Sequence, residues 1–153
     1  MEYLNYATLE SVDPVAYQAI RPFPWIGLEG ALSDAGYREL LATLPALDLF
    51  EKDFGYQRKH GQQSHDRYAL EWSPEREPEL PAPWVALVRE LMAPRYREIL
   101  CRLYDAPACS FRFHWHYTPR GASVSPHCDS PKKLGSHIFY LNTQEDWDPG
   151  WGG

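Results

Sequence analysis

The chain has no basic cluster; no run of Lys and Arg exceeds two residues, as at Lys132-Lys133. With a formal net charge of −6 over 153 residues and a pI near 5.5, it lacks the positive face that grips a phosphate backbone. Nucleic acid is therefore not expected as a partner. No apolar run approaches the ~20 residues that a bilayer crossing needs, so no membrane partner is expected either. The opening MEYLNYATLE has neither the basic start nor the apolar stretch of a secretory leader. Cysteine is sparse: Cys101, Cys109 and Cys128 are odd in number and show no CxxC spacing. That points to a reducing, cytoplasmic setting rather than a disulfide-stapled fold. Internal repeats and low-complexity tracts are absent, and the length fits a single domain, 1–153.

Aromatic residues and proline are plentiful. Aromatics make up 14% of the chain and there are 14 prolines, which predicts a large aromatic core joined by many loops. PFPWIGL (22–28) reads as a short strand. Ser33 reads as a helix N-cap, and behind it Tyr37, Leu40, Leu41 and Leu44 recur with the period of one helix face until Pro45. Residues 47–72 read as short strands around a long polar loop, and 73–83 as a proline-punctuated connector. Trp84, Leu87, Val88, Leu91 and Met92 form a second helical stripe beginning at Pro83. Pro94 is expected to kink or split that helix, and the stripe resumes at Tyr96, Ile99, Leu100 and Leu103.

After residue 108 the period changes from 3.6 to 2. In SFRFHWHYT (110–118), Phe111, Phe113, Trp115 and Tyr117 share one face and Arg112, His114, His116 and Thr118 the other. SHIFYLN (136–142) reads as a further strand. The expected class is α+β, with helical support over 1–108 and the sheet over 109–153.

The chemistry concentrates in PHCDS (126–130). On an extended backbone the side chains of His127 and Asp129 leave from one side, with Cys128 pointing away. One imidazole and one carboxylate are two of the three ligands in the two-histidine, one-carboxylate triad of non-haem Fe(II) oxygenases. The same residues also read as a polar turn capped by Asp129.

The order YTPRG (117–121), PHCDS, FYLN (139–142) and W…GG (147–153) resembles the 2-oxoglutarate and Fe(II)-dependent dioxygenases, in their prolyl-hydroxylase-like branch. The resemblance is clearest over 111–153 and looser over 22–45. It implies a double-stranded β-helix, a jelly roll of two sheets with the N-terminal helices packed on one of them. It implies His127 and Asp129 as metal ligands, Fe(II) and 2-oxoglutarate as cofactors with ascorbate an optional addition, and hydroxylation coupled to formation of succinate. The substrate would be a protein side chain, prolyl or similar, or a small metabolite. A carboxylate at Asp129 favours hydroxylation over halogenation, which uses a small residue there. Tyr117 matches a position that touches the co-substrate; it reads equally as a core aromatic.

Among the remaining polar residues, His60, His65 and Arg120 are candidates for contact with substrate, and His137 reads as structural. The family's distal histidine and the Arg or Lys that pairs with the far carboxylate of 2-oxoglutarate find no match before Gly153. The jelly roll is thus expected to lack its C-terminal strands. Either the chain is a piece of a longer protein or it has lost the catalytic half, and a dimer mate or a further segment would cover the open core. Two rivals stand beside the hydroxylase reading. One is a non-catalytic jelly-roll binding module with a degenerate metal site. The other is a structural zinc-type site built from His114, His116, His127 and Asp129.

Overall fold

Short polar side chains set where the first helices begin. In the computed structural model, which describes residues 1–56, 64–122, 124, 127, 129–143, 145–148 and 150, helix α1 (Tyr6–Glu10) starts where the Asn5 side chain accepts from the Thr8 N–H. Helix α2 (Pro14–Ala19) starts where Asp13 accepts from the N–H groups of Val15 and Ala16, with Pro14 in its first turn. Each cap satisfies donors that the first turn leaves orphaned. Helix α3 (Asp34–Ala42) begins at the expected cap: Ser33 accepts from the Gly36 N–H. It ends before Pro45, with Leu40 fully buried.

The second helical pattern is split at Pro94, as anticipated. Helix α4 (Ala82–Leu91) buries Trp84, Val85, Leu87, Val88 and Leu91, and α5 (Pro94–Leu103) buries Tyr96, Ile99 and Leu100. The Trp84 indole N–H donates to the Thr43 carbonyl at 2.8 Å, tying α4 to the end of α3. The Glu90 carboxylate accepts from the backbone N–H groups of Tyr3 (2.8 Å) and Leu4 (3.0 Å), so α4 also holds the N-terminal segment.

Strands β1 (Glu51–Asp53), β2 (Arg67–Glu71) and β3 (His114–Tyr117) form one antiparallel sheet in the order β1-β2-β3. Leu70 lies opposite Trp115 and Ala69 opposite His116. The alternation read for 110–118 holds: Trp115 and Tyr117 turn inward while His114 and His116 stay exposed. Two apolar clusters adjoin. Residues of α1, α3, α4 and α5 make the larger one, against which Phe111, Phe113 and Trp115 pack. Phe50, Leu70, Leu80 and Val85 make the smaller, with Tyr117 on its flank. Trp115 belongs to both and stands edge-on to Trp84 at 5.9 Å.

Two expected strands take another form. Residues 22–28 are irregular, with Trp25 62% exposed; Pro22 and Pro24 supply no N–H for a ladder. Residues 137–141 keep a period-2 alternation. Phe139 and Leu141 pack on the larger cluster, whereas Ile138 and Tyr140 are 61% and 68% exposed. Among the described residues no strand pairs with this segment. The architecture is α+β, and the second sheet that a jelly roll requires is not formed among the described residues. No helix among them is long and apolar enough to cross a membrane.

Candidate functional site

His127 and Asp129 converge. The imidazole Nε2 lies 3.8 Å from the carboxylate Oδ1, and both side chains are partly open to solvent. The chain turns immediately afterwards, where the Lys133 N–H donates to the Ser130 carbonyl at 2.8 Å. That turn sets the Lys133 ammonium 2.8 Å from the other carboxylate oxygen, Oδ2. The hydrogen bond from Lys133 is the main cause holding the Asp129 carboxyl below its ordinary range, reinforced by the charge of Lys133 and by His127. Asp129 is therefore ionised at neutral pH, with one oxygen engaged by Lys133 and the other facing the imidazole.

His65 stands beside them. It is only 3% exposed, and its ring centroid lies 4.8 Å from that of His127. Asp66 anchors the loop that carries it, accepting from the Gly55 N–H at 2.8 Å. His65 had been read as a substrate contact; the structure brings it against the His-x-Asp pair. His60, read the same way, lies outside the described residues. Arg120 is exposed in the turn that follows β3, where the Ala122 N–H donates to the Pro119 carbonyl at 3.1 Å.

Tyr117 sits on the inner face. Its ring packs 4.6 Å from Phe50, and its hydroxyl donates to the Pro45 carbonyl at 3.0 Å. Burial pushes its phenol up. It borders a shallow cleft of about 270 Å³ lined also by Pro45, Leu47, Tyr68, Thr118 and Pro119. The core-aromatic reading accounts for these contacts.

His114 and His116 occupy the opposite, polar face, with ring centroids 5.9 Å apart. Desolvation is the first cause lowering both, His116 to about 4, and Arg67 adds to it at His116. Lys133, which holds Asp129, also disfavours the charged form of His114. Both imidazoles are neutral at physiological pH. The four-ligand zinc-type set is not assembled: His114, His116, His127 and Asp129 are all described, and no group of three or more His, Cys, Asp or Glu among the described residues is gathered to hold an ion.

His127 and Asp129 fit two positions of a facial triad by donor type and by convergence. A third protein ligand is not gathered with them among the described residues. Sequence reasoning missed Lys133 as a partner of Asp129, although its i,i+4 spacing across a Ser-Pro turn was a usable signal. The burial of His65 had no signal in the polar run GQQSHDR. Comparison with protein-family models, curated proteins and solved structures matches nothing to this chain.

Proposed function

We propose that this chain carries part of the metal site of an Fe(II)- and 2-oxoglutarate-dependent hydroxylase built on a double-stranded β-helix. The observation that supports it is the convergence of His127 Nε2 and Asp129 Oδ1 at 3.8 Å. Iron held there would supply oxygen activation coupled to decarboxylation of 2-oxoglutarate. His127 would contribute an imidazole nitrogen, and Asp129 its Oδ1 oxygen, the Oδ2 being held by Lys133. His65, buried against His127, restricts how that ring can turn and keeps water from one side of it. The third ligand and a cation for the far carboxylate of 2-oxoglutarate belong outside the described residues. The substrate class is a protein side chain, prolyl or similar, or a small metabolite, and the cytoplasmic setting rests on the sparse, unpatterned cysteines.

The test is formation of succinate from 2-oxoglutarate by folded protein loaded anaerobically with Fe(II) and then exposed to oxygen. Turnover that His127→Ala or Asp129→Ala abolishes supports the reading. Its absence in a folded sample that binds both Fe(II) and 2-oxoglutarate defeats it, as does failure to bind Fe(II) through His127 and Asp129.

A second reading, a non-catalytic binding module, is favoured by one observation. Ile138 and Tyr140 project outward from an extended segment with no strand partner among the described residues. A dimer mate or a further strand would cover them. Calorimetric titration with Mn(II) separates the two, because a binding module gives no heat that depends on His127.

A further inference from the structure

Helix α5 ends by reversing on itself. Tyr104 closes its last turn, Asp105 takes the left-handed conformation at φ 49°, and the Ala106 N–H donates to the Cys101 carbonyl at 2.9 Å. The reversal returns the chain along the helix, so that Cys109, eight positions on, comes back over Cys101. The two sulfurs lie 3.2 Å apart. Both are free thiols and both are half-buried.

We propose that Cys101 and Cys109 form a modification site, a thiol pair that a small disulfide of the glutathione class oxidises to an intramolecular disulfide. The thiolate of one cysteine attacks a sulfur of the small disulfide, RSSR, forming a mixed disulfide and expelling one thiolate, which is protonated to RSH. The second cysteine, losing its proton, attacks the protein sulfur of the mixed disulfide and expels the second RSH. In sum, two protein thiols and RSSR give one protein disulfide and two RSH. The protein sulfurs are oxidised and the small disulfide is reduced.

The fold makes the second step fast, because the partner sulfur is already in contact. Burial, then the hydrogen bond with Cys101, pushes the Cys109 thiol up to about 11, while Arg97 pulls weakly the other way. Cys109 accordingly rests as the thiol at neutral pH, and exchange proceeds through a thiolate. Once formed, the bond ties the end of α5 to the segment leading into β3. Phe111 lies two residues beyond Cys109 and packs against Tyr96 of α5 at 5.7 Å, so the inner face of the sheet is fixed to the helix that supports it. This inference does not rest on the metal reading.

The experiment equilibrates native protein in buffers of increasing oxidised-to-reduced glutathione ratio, quenches with acid, alkylates, and maps the peptides by mass spectrometry. The expected result is a peptide pair linked through Cys101 and Cys109, with Cys128 alkylated and the link reversed by dithiothreitol. The oxidised protein should also melt at a higher temperature, because the loop closed in the unfolded chain restricts it. Cys128→Ser should leave the link unchanged and Cys109→Ser should abolish it, with folding of each variant checked by circular dichroism. If Cys101 and Cys109 both remain alkylated at every ratio in folded wild-type protein, the proposal fails. It also fails if the disulfide that forms uses Cys128 or joins two chains.

Discussion

Acid should weaken this fold through one half-buried imidazole. His137 Nδ1 lies 2.6 Å from the Tyr96 hydroxyl, and its ring stacks near those of Tyr96 and Phe139. Burial pushes the Tyr96 phenol up, so the phenol stays protonated and shares this hydrogen bond with the His137 ring. Desolvation alone lowers His137 from 6.5 to about 4. The folded chain thus holds a neutral ring that the unfolded chain would protonate. The contribution is whole above the ordinary value of 6.5 and is lost as pH falls from there toward about 4. At about 1.4 kcal/mol for each tenfold, the gap amounts to about 3 kcal/mol below both values. About 2 kcal/mol of it disappears between about pH 7 and about pH 5. Urea titrations followed by tryptophan fluorescence across that range measure it. His137→Asn, which offers an oxygen to the same phenol without titrating, isolates the group from His114 and His116. Wild type should lose about 2 kcal/mol more than this variant over the interval. Parallel pH profiles for the two proteins would refute the reasoning.

Three further perturbations test packing and charge. Gly36→Ala should lower stability, by about 1 kcal/mol or more in urea melts. A Cβ there would meet the Tyr3 Cα at 2.9 Å and Ser33 Oγ at 2.8 Å, and that overlap outweighs the ~1 kcal/mol helix preference of alanine. Glu90→Gln should cost about 1 kcal/mol or more, because one of the N–H groups of Tyr3 and Leu4 then faces an amide donor; an unchanged melting temperature would contradict that contact. Lys133→Ala should tighten Mn(II) binding at His127 and Asp129 by several-fold in calorimetry. It removes a cation 2.8 Å from Asp129 whose repulsion of a metal is about 1 kcal/mol in water.

Local signals carried well from sequence to structure. Ser33 caps α3 and Pro94 divides α4 from α5 because capping and proline geometry are decided within one turn of chain. Alternation in 111–117 placed Trp115 and Tyr117 inward and the two histidines outward. Asn5 and Asp13-Pro14 were equally good start signals, but α1 and α2 are too short to show a stripe. PFPWIGL was misread as a strand because apolar composition says nothing of ladder partners, and Pro22 and Pro24 have no N–H to pair. Residues 137–141 show the complementary limit: their alternation is local, whereas strand pairing depends on another segment. At the candidate site the His-x-Asp spacing was legible, and the approach of His65 to His127 was not, since it is a contact between segments far apart in the chain.

The central claim is that His127 and Asp129 jointly grip a divalent cation, and paramagnetic resonance of Mn(II) tests it most directly. Titrated into folded wild-type protein, the free-ion signal should fall to a bound fraction that either His127→Ala or Asp129→Ala weakens at least about tenfold, as losing one ligand does. Equal Mn(II) binding by wild type and both folded variants, or none by any of them, would contradict it.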